Sequence, residues 1–529
     1  MKALGWMAVL VAVALIAVVA VRALGSGASA LVPGSDNAGG PEPAPAAAPL
    51  VPEGEGLSPR EVADFEPFRF DPDEEEDYLE RGRDGLAHVL YAKSAGGVEA
   101  AAARVAGYRK DIEAAAQRHG IEADTLAAVV FLESGGRPEA MAAGDPDGAV
   151  GLGQILPGTA TTVLDMDVDL ARSKTLTKRI ERDRRRAVRA PTTRRRRAAA
   201  LRASQLASAR RAVDERFDPR ASLDGAALYL ADNTARFGRE DLAVASYHMG
   251  AGNLENVIDS YVAPRPPRRR TRRTVADYEL SYPRLFFDST PTRNPATYRR
   301  LAGLGDDSRT YVFRVEAARE ILRLAAEDRE ELARLERLHL AKASAEEVLR
   351  SEDENEPFEG PEEVREAYED GDLVSLPNRP QRLGYRVDSD MGALATRLGQ
   401  RPALYRGMRP EALAVLLYIA KETRRISGGE GALRVTSTVR DRGYQRALLQ
   451  SNSQATSAFS LHTTGYAVDV GLNFRTPRER RAFVAVLERL RSLNVIDWVY
   501  EPTAVHFTVG PEAERYMVLV DGLVARDAD

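Results

Sequence analysis

The chain has 529 residues, a hydrophobic content of 44% and a formal net charge of −5. That length exceeds one ordinary core, so two or three domains are expected, with enough apolar residues to build them. Cysteine is absent, which excludes disulfides, thiolate metal sites and a lipidated N-terminal cysteine.

Lys2 precedes an apolar run from Leu4 to Val21, closed by Arg22. The run is long enough to span a bilayer, and the ASA stretch at Ala28–Ala30 offers a small-residue cleavage site. Its length favours a retained anchor in residues 1–24 over a cleaved signal. Either outcome places the rest of the chain outside the cytoplasmic membrane, held there through the N-terminal helix or secreted. From Gly25 to Pro59 the composition is mostly Ala, Pro and Gly, an extended tether. With the acidic patch DPDEEED (Asp71–Asp77), residues 25–97 read as a Pro/Ala-rich and acidic linker.

A helical stretch, VEAAAARVAGYRKDIEAAAQRHG, then runs from Val98 to Gly120. The next helix ends in FLESGG, where Glu133 shares a helical face with Leu126, Val129 and Val130 before two glycines stop it. Burial against those side chains would raise the carboxyl pKa, as a proton donor at neutral pH requires. Helical periodicity dominates to about Leu340, interrupted by basic insertions at Arg172–Arg211 and Pro264–Arg273. Clustered arginine attracts phosphate, but the same residues suit a solvated helical hairpin and a loop. No aromatic side chains interleave for base stacking, and export removes DNA, so nucleic acid is not expected as a partner. Anionic wall polymers or a membrane surface are the polyanions that this charge would select.

Residues 341–380, acidic and poorly apolar between Ser351 and Asp372, read as an interdomain linker. From 381 to 529, the helices EALAVLLYIAKE and RRAFVAVLERLRSL alternate with the strand-like runs LRVTSTV, YAVDVGL, DWVYE and AVHFTV. That mixture predicts an α+β domain with a small sheet.

ESGG, GAVGLGQILPGTA (Gly148–Ala160) and AVASYHMGAGN (Ala243–Asn253), in that order, resemble the soluble lytic transglycosylase family, a lysozyme-like all-α fold. The resemblance covers Val98 to Leu324, within an expected domain at 98–340. It implies that Glu133 is the single catalytic acid. Such an acid protonates the glycosidic oxygen between N-acetylmuramic acid and N-acetylglucosamine, then helps the muramyl 6-hydroxyl attack its own anomeric carbon. It also implies that Gln154 and Tyr247 bind substrate. His248 and Met249 depart from the family's usual Asn and Ala. Asp145 and Asp147 sit in a loop as turn residues, so hydrolysis stays open as a variant.

His462 stands seven residues before Asp469 in SLHTTGYAVDV, and AVHFTV supplies His506. Two imidazoles and a carboxylate suit a three-ligand zinc site with an open position. With VTSTVRDRGYQ upstream, the stretch Gly384–Val518 resembles the zinc D-alanyl-D-alanine carboxypeptidase and dipeptidase family. That resemblance implies Zn2+ held by His462, Asp469 and His506, with Arg440 near the developing oxyanion. The family usually places its general base three residues before the last histidine. Here the candidate, Glu501, precedes His506 by five, and a turn at EPTA would be needed to restore the geometry.

The two resemblances share one polymer. They imply a bifunctional peptidoglycan remodelling enzyme, acting on glycan strands and stem peptides. Two rival readings stay open: a C-terminal domain that binds peptide without cleaving it, and a non-enzymatic wall-binding scaffold.

Overall fold

The computed structural model describes residues 66–263, 271–377, 380–429, 431–451 and 459–517. The expected anchor and the Gly25–Pro59 tether lie outside these residues, as does 264–270 of the second basic insertion. Among the described residues, no helix is long and apolar enough to cross a membrane.

The N-terminal half is helical. At its centre lies Ala123–Ser134, in which every residue from Thr125 to Phe131 is buried. Helices Val98–Ala106, Arg109–His119, Pro219–Phe237 and Tyr311–Glu327 pack around it. The sequence suggests one apolar face; the helix is instead covered on all sides, as a central helix must be. The stretch expected as one helix from 98 to 120 is two, interrupted at Gly107 and Tyr108. The first basic insertion is a pair of antiparallel helices, Leu170–Arg189 and Thr193–Arg211, packed along each other.

The C-terminal part is mixed α and β. Strands β1 (Val374–Ser375) and β3 (Gly407–Met408) make a small antiparallel pair. The main sheet comprises β2 (Tyr385–Val387), β4 (Leu433–Ser437), β5 (Ala467–Gly471), β6 (Ile496–Tyr500) and β7 (Ala504–Val509). Its spatial order is β2-β4-β5-β7-β6; only the β2/β4 pairing is parallel. Helices Pro410–Ser427 and Pro477–Ser492 pack together and against β7 and β6 respectively. Every residue of β7 is buried, because helices cover one face of the sheet and a folded connector approaches the other.

Two stretches read as linkers are largely folded. Between 66 and 97, helices Glu75–Leu86 and His88–Lys93 form, and Phe68, Phe70 and Tyr78 are buried. Helix Glu75–Leu86 lies against both Tyr311–Glu327 and Pro477–Ser492. At Gly85 a Cβ would sit 1.9 Å from the Arg491 carbonyl oxygen, so only glycine permits this approach. Arg489 locks the same seam by donating to the carbonyls of Phe287 (2.7 Å) and Phe68 (2.6 Å). Between 341 and 380, helices Glu346–Leu349 and Pro361–Glu369 form, and Leu349, Phe358, Val364, Ala367 and Leu373 are buried. These apolar side chains dock a segment most of whose charges face water, Glu346 and Glu347 being buried with it. The acidic composition obscured this, because it reports the solvated face and not the anchoring one.

Candidate functional sites

Glu133 occupies the last turn of helix Ala123–Ser134, half-buried. Gly135 and Gly136 follow with φ of +56° and +70°, left-handed conformations that end the helix and suit glycine. The last turn carries no basic residue, so the negative end of the helix dipole meets the carboxyl without compensation. Burial pushes the carboxyl up to about 7, against the opposing effect of a hydrogen bond from Tyr311. The Tyr311 hydroxyl donates to Oε1 at 2.6 Å.

The loop 144–156 is built around Arg216. This guanidinium is fully buried and pairs with Asp214 at 2.9 Å. It donates to the carbonyls of Pro146 (2.9 Å), Gly148 (3.3 Å) and Ile155 (3.2 Å). Gly151, at φ +84°, passes so close to the Arg216 carbonyl that a Cβ would lie 1.8 Å from its oxygen. Tyr247 then donates to the Gly153 carbonyl at 2.7 Å. Burial, followed by the charge of Glu133, holds its phenol well above the usual range. Tyr247 thus ties the loop to the neighbourhood of the acid. Gln154, at φ +47°, turns its amide nitrogen back onto the carbonyls of Gly151 (2.9 Å) and Ala140 (3.3 Å). His248 lies against the Tyr311 ring, 4.9 Å between centroids, and its Nδ1 meets Ser308 Oγ at 2.8 Å. Asp145 caps its own turn by accepting from the Asp147 amide, and Asp147 pairs with Lys174. Tyr311 and Arg216 escaped the sequence reading, since no local pattern joins either to the residues it serves.

The second site lies on the sheet. Asp469 on β5 stands directly opposite His506 on β7 in the antiparallel register, which is why the two meet. His462 enters from the short turn Leu461–Thr464 just before β5. Asp469 Oδ1 is 2.9 Å from His506 Nδ1 and 3.2 Å from His462 Nε2. All three residues are buried, with candidate ligand atoms within 4.8 Å of one another.

The outer nitrogens of both rings are also held. His462 Nδ1 meets the Thr438 carbonyl at 2.7 Å, and His506 Nε2 meets Glu346 Oε2 at 2.7 Å. Imidazoles fixed this way, by a carbonyl and a carboxylate on the far nitrogen, are the usual surroundings of metal-binding histidines. The donor set therefore fits a zinc-type ion. Glu346 belongs to the stretch expected to be linker, and no spacing rule connects it to His506.

The triad opens into a cleft of about 540 Å³, also lined by Arg440, Tyr444 and Glu501. Arg440 donates to Ser437 Oγ (2.7 Å) and Gln445 Oε1 (3.0 Å), and lies 3.4 Å from Asp469 Oδ2. The β6–β7 hairpin carries Glu501 at its turn, with its amide bonded to the Ala504 carbonyl at 2.9 Å. The turn at EPTA thus brings Glu501 to the rim of the cleft, where the residue is exposed. Although the residue as a whole is exposed, partial desolvation of its carboxyl against the cleft wall, then the charge of Asp469, raises its pKa.

Compared with known families, the chain matches the Transglycosylase SLT domain at residues 110–175 and 195–265. The chain therefore carries an SLT domain, and Glu133, Gln154 and Tyr247 fall inside the match. The interruption at 176–194 falls on the arginine hairpin, and the match stops short of the C-terminal part. No curated protein matches the chain.

Proposed function

We propose that this protein remodels peptidoglycan through two chemically separate sites. The SLT domain supports lytic transglycosylase activity on that polymer, in the periplasm or cell-wall space. The feature that supports the first assignment is the half-buried Glu133 carboxyl, bonded by Tyr311 and pushed up by burial to about 7.

In this reading Glu133 gives its proton to the glycosidic oxygen as the bond to the muramyl anomeric carbon breaks. The resulting carboxylate takes the proton of the muramyl 6-hydroxyl as that oxygen closes onto the same carbon. The glycan then ends in a 1,6-anhydro ring, and no water is consumed. Intramolecular attack removes the need for the second carboxylate of ordinary glycosidases. Tyr311 fixes the acid's orientation and supports the charge that appears on it. Replacing Glu133 by Gln and analysing digests of purified sacculi by mass spectrometry tests this assignment. Anhydro-ended products should vanish, and their persistence would falsify it.

The second reading assigns the C-terminal cleft to zinc-dependent cleavage of stem peptides at D-Ala bonds. The buried His462–Asp469–His506 cluster, with its supported outer nitrogens, favours it. A zinc ion held by these residues would supply Lewis-acid activation of amide hydrolysis. Glu501 is the base available to take up a proton at the rim, and Arg440 presents positive charge beside Asp469. Elemental analysis of the full chain, with an assay of D-Ala release from a pentapeptide, separates the alternatives. Metal bound without release supports a peptide-binding module, which the exposed position of Glu501 would favour.

A further inference from the structure

The arginine hairpin is used by neither site, and its arginines fall into two sets. One set is built as structure. Arg210 is buried, donates to Thr177 at 2.7 Å, pairs with Glu139 and lies 3.5 Å from the centroid of the Phe217 ring. Arg186 and Arg202 share the buried Asp183 at 3.2 and 3.8 Å. Packing explains these side chains.

The second set has no such explanation. Arg182, Arg189, Arg194, Arg195, Arg196 and Arg197 are exposed, and none pairs with a described carboxylate. Arg194, Arg195 and Arg196 stand in the first turn of helix Thr193–Arg211, which has no acidic residue. Cations there oppose the positive end of the helix dipole, so their placement works against the fold taken alone. Beside them Val188 is 82% exposed, and further along Leu201 is 61% exposed.

We propose that this second set docks the hairpin on an anionic bilayer surface, its guanidiniums on lipid phosphates and Val188 in the interface. Arginine matches phosphate oxygens in a fork, and each basic side chain near an anionic leaflet adds to the attraction. A soluble polyanion would satisfy the arginines equally but would leave Val188 and Leu201 in water. An interface removes them from it. The apolar run Leu4–Val21 in the sequence points to the same surface. Neither catalytic assignment is needed for this inference.

Because the chain has no cysteine, Val188→Cys in the full-length protein creates one thiol for an environment-sensitive fluorophore. Emission is read with vesicles of phosphatidylcholine alone and of phosphatidylcholine with phosphatidylglycerol. A blue shift is expected only with the anionic vesicles, fading as salt rises from about 50 to about 500 mM. Changing all six arginines to Gln should weaken vesicle binding by at least roughly a hundred-fold, with helical content and digestion of soluble glycan fragments unchanged. Insertion of the N-terminal run would occur in both vesicle types and so cannot produce the lipid-dependent difference. Equal emission with both lipids, a shift retained by the six-fold variant, or a response to soluble polyphosphate with none to vesicles would each overturn the proposal.

Discussion

The hydroxyl of Tyr311 donates to Oε1 of Glu133 at 2.6 Å, although 178 positions separate them in the chain. Two opposing effects meet at this carboxyl. Burial disfavours its charge, and the phenol partly restores it, leaving the pKa near 7. An acid balanced there can give a proton and take one back within a single cycle.

Glu133→Gln should reduce wall digestion about 10²–10⁴-fold, measured as anhydro-ended product. It should also change stability with a definite sign. The folded pKa lies above the unfolded value, so the folded state binds more protons between them. The group's contribution is therefore greatest in acid and is lost as pH rises through about 7. The Gln variant should match the parent near pH 4 and exceed it by about 1–3 kcal/mol near pH 8. Denaturant titrations at the two pH values check this.

Tyr311→Phe removes the hydrogen bond that lowers the acid's pKa. The alkaline limb of the pH–rate profile should move to higher pH, with the maximal rate down about ten-fold through lost orientation. An alkaline limb that stayed in place would show that Tyr311 does not act through Glu133.

Glu346→Ala leaves His506 Nε2 without its carboxylate acceptor. Zinc affinity should fall about 10–100-fold, read by competition with a chromophoric chelator. Glycan cleavage should be untouched, since among the described residues no hydrogen bond or ion pair links Glu346 to Glu133.

Gly85→Ala forces a methyl group against the Arg491 carbonyl at a seam between the helical and mixed regions. The helices must separate, at a cost of about 1–3 kcal/mol. Thermal unfolding should show a lower midpoint, and a Gly85→Val variant should lower it further.

Local order in the chain determined a good deal. The strand runs LRVTSTV, YAVDVGL, DWVYE and AVHFTV all contain strands, because alternation and β-branched content act over a few residues. The motif around Glu133 picked out the carboxyl proposed as the acid, and the glycines that end its helix. The sequence named His462, Asp469 and His506 together, and the β5/β7 register sets Asp469 and His506 side by side.

What only the tertiary structure decided were the partners of these groups: Tyr311 for the acid, Arg216 for the glycine loop, and Glu346 for His506. Each lies at a sequence separation at which periodicity carries no information, so only packing brings the pair together. The same reason explains why residues 66–97 and much of 341–380 looked like tethers. A few apolar side chains dock such segments, and whether they find a groove depends on a surface assembled from the rest of the chain.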